Sequence, residues 1–313
     1  MTRPLRIGTR GSALALWQAN EVRSKLAEAG YQSEVVVIST TGDRRAEVSL
    51  AEIGGKGLWI KELEEALDRL EVDLAVHSLK DVPSIEPEQF VLAGFLQRAD
   101  PRDAWVQIEG KRIDELPAGS RIATSAPRRR AQLRERYPSL RMEPIRGNVD
   151  TRLGKLRKHQ YEGAVLAGAG LIRLGRQSEI TSFFAIDEMV PAAGQGIIVV
   201  ETRQDDRTAK TAAGSIDHPA SALAARSERG VLQKFGTRLD CQSAVAVHAT
   251  FEDDRITIRA FFGEIDGDRV VRCAGSGHHP EEVMQSVYES LVRDGALALL
   301  TPLATAAVEQ FLE

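Results

Sequence analysis

Apolar positions change their period along this chain, and each change predicts an element. Leu5–Thr9 reads as a strand. Ser12 is placed as the N-cap of a helix whose buried stripe is Ala15, Ala19, Val22 and Leu26, ending at Gly30. Glu34–Ile38 is a β-branched strand. Gly54-Gly55-Lys56-Gly57 is a loop, and the helix after it turns Leu63, Ala66, Leu67 and Leu70 inward. Asp73–Val76 is a short apolar strand. Strand and helix alternate as in βαβ units, which predicts a mostly parallel sheet with helices on both faces.

A second unit of the same kind starts after Asp100-Pro101-Arg102-Asp103. Its strands are Ala104–Ile108, Arg121–Thr124, Arg141–Ile145 and Gly163–Ala167, with helices beginning near Pro127, Asp150 and Gly170. Ile197–Glu201 reads as a buried strand that could return to the first unit, giving two lobes joined by two crossings. After about Ser215 the pattern changes. A helix from Ala220 to Lys234 leads to Cys241. Ala244–Thr250, Arg255–Phe262 and Arg269–Ala274 then alternate with turn signals between them, as in a three-stranded antiparallel sheet. Helices Glu281–Arg293 and Pro302–Leu312 follow. The predicted fold is α/β, with two lobes of mostly parallel sheet and a C-terminal α+β domain. The predicted domains are 1–96 with 197–215, then 97–196, then 216–313.

Charge narrows the partners. A net charge of -4 over 313 residues argues against a general nucleic-acid binder. Arginines nevertheless gather at Arg44-Arg45 and Arg128-Arg129-Arg130, with singles at Arg10, Arg146, Arg152 and Arg173. That distribution points to an anionic small molecule. No signal peptide opens the sequence and no apolar run is long enough to span a bilayer, so no membrane role is expected. The two cysteines, Cys241 and Cys273, form neither a disulfide framework nor a metal motif, and the expected compartment is a reducing cytoplasm.

Polar residues fall at predicted strand ends. Arg10 and Ser12 follow the first strand, and Ser78, Lys80 and Asp81 follow Asp73–Val76. Thr124, Ser125, Arg128 and Arg129 follow the Arg121 strand, and Arg146, Gly147 and Asn148 follow Ile145. If both sheets are parallel, these lie on the edges where open α/β sheets bind ligands, facing one another across a cleft. Arginine forks there suit carboxylate or phosphate. Asp81 is a carboxylate among cations, either a salt-bridge partner or turn cap before Pro83, or a catalytic group that handles protons or stabilises a transient cation. Cys241 is either a small buried hydrophobe or a nucleophilic, cofactor-bearing thiol. Cys273 reads as core. Trp59 is either helix core or a ring covering a ligand. Gly55-Lys56 and Gly168-Ala169-Gly170 fail as phosphate and dinucleotide fingerprints, and His278-His279 has no ligand partners at usable spacing.

Several motifs occur in order. They are Ile7-Gly8-Thr9-Arg10-Gly11-Ser12, Gly54-Gly55-Lys56-Gly57-Leu58, Val76-His77-Ser78-Leu79-Lys80-Asp81-Val82-Pro83 and Arg98-Ala99-Asp100-Pro101-Arg102-Asp103-Ala104. Arg146-Gly147-Asn148-Val149, Pro191-Ala192-Ala193-Gly194-Gln195-Gly196 and Asp240-Cys241-Gln242 complete the set. With these the chain resembles the porphobilinogen deaminase family. The resemblance implies two lobes like periplasmic binding proteins and a third domain carrying a cofactor cysteine. It implies stepwise head-to-tail condensation of four porphobilinogens with loss of ammonia, releasing linear hydroxymethylbilane. The growing chain would hang on a dipyrromethane cofactor joined by a thioether to Cys241. Asp81 matches the catalytic aspartate, which assists ammonia departure and stabilises the electrophilic azafulvenium. Arg10, Lys80, Arg128, Arg129, Arg146, Arg152 and Arg173 match cations that hold acetate and propionate groups, and Ser12, Ser78, Thr124 and Gln195 match supporting polar contacts. Lys56 and Trp59 match a mobile loop over the cleft. The implied protein is a monomer whose product passes to uroporphyrinogen III synthase.

The chain departs from the family pattern in four places. Leu239-Asp240 replaces paired glycines, Ser243-Ala244-Val245-Ala246 replaces Val-Pro-Ile-Gly, Ala126 replaces a serine, and Glu52 replaces a lysine. Two alternatives to the enzyme stand beside it: a non-catalytic two-lobed anion-binding protein, and a degenerate relative that no longer assembles its cofactor.

Overall fold

The computed structural model of the protein describes residues 3–39, 58–239 and 242–300. Arg44-Arg45, Glu52, the 54–57 loop with Lys56, Asp240, Cys241 and the helix expected over Pro302–Leu312 lie outside the described residues.

The chain begins β1 (Leu5–Thr9), α1 (Ala13–Glu28), β2 (Ser33–Val37), α2 (Leu58–Asp68), β3 (Leu74–Ser78) and β4 (Phe90–Phe95). It then enters a second sheet through β5 (Asp103–Val106), β6 (Arg121–Ala123), α3 (Pro127–Arg136) and β7 (Arg141–Glu143). That unit continues with α4 (Val149–Arg157), β8 (Gly163–Ala167), α5 (Gly168–Arg173) and β9 (Ser182–Phe183). The return strand is β10 (Ile198–Arg203), followed by α6 (Arg207–Gly214) and α7 (Pro219–Gln233). Last come β11 (Ala244–Glu252), β12 (Arg255–Gly263), β13 (Val270–Gly277), α8 (Pro280–Arg293) and α9 (Ala296–Leu299).

The first sheet has the order β2-β1-β3-β10-β4, with β1 parallel to β2 and β3. The second has the order β7-β6-β8-β5-β9, with β6 parallel to β7 and β8. Both are α/β sheets of mostly parallel character. Each also accepts one strand arriving from the other unit, which enters from the opposite end and so runs antiparallel: β10 between β3 and β4, and β5 between β8 and β9. Two crossings therefore join the units, and they are paired to each other through Leu96 N–H to Ile198 O at 3.0 Å and Ala99 N–H to Gly196 O at 3.0 Å. The third unit is the antiparallel meander β11-β12-β13, its apolar face covered by α7 and α8 around Phe235, Val247, Ile258, Phe262 and Val287.

Most predicted elements stand within a few residues of their sequence bounds. In α1 the buried stripe is Gln18, Ala19, Val22 and Leu26, with Ala15 only half-buried. Leu70 does not pack inward: α2 ends at Asp68, and Leu70 sits at a φ of 57° with its side chain 56% exposed. Cys273 lies half-buried against the third unit's core.

Candidate functional site

The parallel strands deliver their carboxyl ends to one cleft. After β1, Arg10 is half-buried and Ser12 caps α1, its Oγ accepting from Ala15 N–H at 3.3 Å. At the end of β3, Ser78 Oγ accepts from the buried Gln18 side chain at 2.7 Å. β3 then runs directly into a 3-10 turn, Leu79–Asp81.

That turn is held from beneath. Leu79 N–H donates to Ile197 O at 3.0 Å, and Val82 N–H closes the turn on Leu79 O at 3.0 Å. Leu79 packs on Gly194, where an added Cβ would lie 2.5 Å from Leu79 Cγ. Gly194 also has a φ of 74°, so both sterics and backbone conformation demand glycine there. Leu79 and Val82 are buried in one apolar cluster with Ala222 and Ala225 of α7. The intervening residues consequently turn outward: Lys80 is half-buried and Asp81 is exposed.

Lys80 reaches the second unit electrostatically. Burial pushes its ammonium down to about 8, Arg129 and Arg128 act in the same direction, and Asp81 and Asp103 oppose them. Arg152 responds to the same carboxylate from across the cleft. Burial lowers it to about 10, Arg129 adds to that, and Asp81 opposes. Its Nε donates to Gly147 O at 2.8 Å. Asp81, Lys80, Arg129 and Arg152 thus form one charged group drawn from both sheets.

Beneath that group lies Asp103, fully buried at the start of β5. Arg128 grips it with Nη1 at 2.6 Å and Nη2 at 3.1 Å, and Arg129 with Nε at 3.0 Å and Nη2 at 2.8 Å. Gln195 is a third donating side chain, with Nε2 at 2.9 Å from the carboxylate, and its Oε1 accepts from Arg128 at 2.9 Å. Burial alone would raise the Asp103 carboxyl, but the two guanidiniums prevail and hold it well below the ordinary range. Arg128 also donates to Val190 O at 3.1 Å, and Arg129 to Val165 O at 3.2 Å. The structure therefore makes Arg128, Arg129 and Gln195 a buried frame around Asp103. Two guanidiniums against one carboxylate leave a net positive field facing the cleft.

The remaining candidates stand on neighbouring elements. Thr124 is buried at the end of β6, and its Oγ1 accepts from Ala126 N–H at 3.4 Å. Ala126 occupies the N-cap of α3 without a side-chain cap, and Ser125 is engaged with Ile145 N–H at 3.0 Å. Arg146 is half-buried after β7. Arg173 of α5 donates to Gly196 O at 2.7 Å and lies 5.6 Å from the centre of the Trp17 ring of α1. Burial lowers Arg173 to about 10, with Glu21 opposing. Trp59 belongs to the first turn of α2.

Sequence reasoning does not single out the joint behind the cleft. Glu228 of α7 accepts from Arg98 at 2.8 Å, Gly194 N–H at 2.6 Å and Ala249 N–H at 2.7 Å. Burial would raise this carboxyl, yet Arg98 and His248 bring it to about 2. Arg98 and Gly194 belong to the two crossings, so one carboxylate ties both to the third unit. The signal available was an acidic residue inside an alanine-rich helix, which a buried partner would explain. Cys273 is unsuited to attack: burial pushes its thiol up to about 11, Asp294 adding and Arg293 opposing. Among the described residues no His, Cys, Asp and Glu group could hold a metal ion, and no helix is long and apolar enough to cross a membrane.

Fold and site together define a class: a two-unit α/β cleft with fixed cations, one exposed carboxylate on a clamped turn, and a third unit anchored to both crossings. Residues 5–211 match the family model described as porphobilinogen deaminase, dipyromethane cofactor binding domain. The porphobilinogen deaminase of Thiobacillus denitrificans is 43% identical over 303 residues, covering 96% of this chain and 98% of that protein. That of Geobacter metallireducens is 43% identical over 300 residues, covering 95% and 93%. The chain belongs to the porphobilinogen deaminase family. Among solved structures, a periplasmic substrate-binding protein of an ABC transporter from Coxiella burnetii aligns at 15% identity and a TM-score of 0.42, covering 72% of this chain and 96% of that one.

Proposed function

We infer that this chain is a hydroxymethylbilane synthase, a transferase that condenses four porphobilinogens head to tail on a covalent dipyrromethane primer and releases linear hydroxymethylbilane. The observation that carries the site assignment is the exposed Asp81 carboxylate, on a turn clamped from beneath, within the field of Lys80, Arg129 and Arg152. Porphobilinogen carries two carboxylates per ring, so a lengthening oligopyrrole is a polyanion. Arg10, Lys80, Arg146, Arg152 and Arg173 hold those carboxylates, and the Arg128–Asp103–Arg129 frame adds positive field without itself having to bend toward the ligand. Ser12, Ser78, Thr124 and Gln195 support these cations and the adjoining turns. Asp81 stabilises the cation left on the substrate as ammonia departs and orients the pyrrole N–H.

The same cations fit a dipyrromethane, whose side chains are also acetates and propionates. When bound, that group supplies the nucleophilic pyrrole terminus on which the chain grows. Cys241 is assigned as its attachment point because Asp240-Cys241-Gln242 matches the family's cofactor-cysteine motif. Lys56 and Trp59 are assigned to substrate handling on the strength of the family resemblance alone. The reading divides the chain into 1–96 with 197–215, 97–196, and 216–313. It extends to a cytoplasmic monomer that hands its product to uroporphyrinogen III synthase.

Intact mass of the purified protein beside Cys241→Ser tests the reading. Two linked pyrrole units of added mass are expected in the wild type and none in the variant. An unmodified wild type, made in a host that synthesises tetrapyrroles, would favour the degenerate relative suggested by Leu239-Asp240.

A pH dependence follows from Lys80. Its ammonium is charged below about 8 and is lost as pH rises through that value. The expected result is a fall in kcat/KM on the alkaline side, flattened in Lys80→Arg, whose guanidinium stays charged. An identical alkaline limb in both proteins would exclude Lys80 as its source.

A further inference from the structure

The loop that follows Asp81 is gripped from α7, chiefly by one side chain. Arg229 of α7 is 5% exposed. Its Nη1 donates to Val82 O at 3.2 Å, and its Nη2 reaches Pro83 O, Ser84 O at 3.3 Å and Glu86 Oε1 at 2.6 Å. Gln233, one turn further along α7, donates to Ser84 O at 2.8 Å. On the same helix Ala222 and Ala225 pack against Leu79 and Val82, the residues flanking Lys80-Asp81. Glu228, the neighbour of Arg229, binds both crossings. In sequence, α7 is followed by the Gly236–Arg238 turn and then by Cys241.

We propose that Arg229 is a positioning residue for the reaction: it fixes the 82–86 loop to α7 and so holds the Asp81 carboxylate in register with the cysteine-bearing unit. Only a guanidinium has enough donors, fanned in one plane, to satisfy several acceptors of one loop at once. Loss of that grip leaves the Val82–Ser84 carbonyls to find other partners, which shifts the loop and the carboxylate preceding it. The proposal rests on Asp81 being the carboxylate of the reaction.

Arg229→Met and Arg229→Lys are to be prepared as primer-loaded holoenzymes, with loading counted by intact mass and kcat expressed per loaded molecule. Arg229→Met should lower kcat by about a hundredfold, the scale of a small misplacement of a reacting group, while KM changes by less than about threefold. Arg229→Lys, which keeps part of the grip, should recover about tenfold of that loss. In an Asp81→Asn background Arg229→Met should remove nothing more, because the group it positions is gone.

A kcat per loaded molecule within about threefold of wild type would overturn the proposal, as would the same factor of loss with and without Asp81. If Arg229→Met does not fold, Arg229→Lys read by the same two comparisons decides. Unimpaired turnover in Asp81→Asn would overturn the reading of Asp81 and this proposal with it. Collapse in Asp81→Asn beside normal Arg229 variants would overturn this proposal alone.

Discussion

Asp81→Asn should give a folded, primer-loaded protein whose turnover falls by about a thousandfold while it still binds porphobilinogen. Asparagine has nearly the same volume, and Asp81 is exposed with its turn fixed by Leu79, Val82 and Gly194, so the replacement has little to disturb. What is lost is a full negative charge facing the cation that forms as ammonia leaves. An amide dipole replaces little of that in a site already crowded with Lys80, Arg129 and Arg152. Those same cations lose a competitor for substrate carboxylates, so affinity should hold or rise. Single-turnover rates and calorimetric binding read the two effects separately. Turnover within about tenfold of wild type would remove Asp81 from the chemistry, and a parallel loss of binding would make it a structural group. A non-catalytic anion receptor, the competing interpretation of this cleft, has no turnover to lose.

Asp103→Asn is expected to act on stability instead. The carboxylate is fully buried and answers two buried guanidiniums and Gln195. Removing its charge strands Arg128 and Arg129 beside each other in a low-dielectric interior, which costs about 3–5 kcal/mol. Urea unfolding followed by circular dichroism measures this, and a change below about 1 kcal/mol would show that water or a neighbouring carbonyl takes over the role. The sign of the pH effect follows from the direction of the shift. A carboxyl held below its ordinary value stabilises the fold above that ordinary value, and the contribution is lost as pH falls from about 4 toward the folded value. Glu228, brought to about 2, acts the same way. Wild type should therefore lose stability steeply in acid, and Asp103→Asn should show a shallower acid slope from a lower starting point.

The apolar runs made much of the fold legible. β1 and β8 stand at their expected bounds, and the turn from three-residue spacing to alternation after Ser215 marks the third unit. β4 and α6 are absent from the sequence reading for a physical reason. Phe90–Phe95 has no strict alternation because both its faces are partly covered, and the buried face of α6 is made of Ala209, Ala212 and Ala213, whose hydrophobic signal is weak. Strand direction for β5 and β10 depends on which unit the chain has just left, a long-range fact no local window contains. The candidate site is legible in the sequence only by position. Positions after strand ends select Arg10, Ser78, Lys80 and Asp81 because the parallel sheet places them on one edge. They cannot reveal that the Arg128 and Gln195 side chains are turned onto Asp103, since that partner lies on another strand. Arg229 carries no local signal at all: it is an arginine within a helix, and only the tertiary structure brings Val82–Ser84 to it.

The return of β10 also orders the protein's assembly. All five strands of the second sheet lie between Asp103 and Phe183, a continuous stretch of chain. The first sheet is different, because β10 fills the slot between β3 and β4 and ends at Arg203. On the ribosome, the later sheet is complete in sequence before the earlier one. β3 and β4 must wait, with unpaired backbone along both facing edges, while the intervening unit is made. The N-terminal part of this chain is thus the last of the two to close, and the interval before β10 emerges is when its edges are open to pairing with another chain.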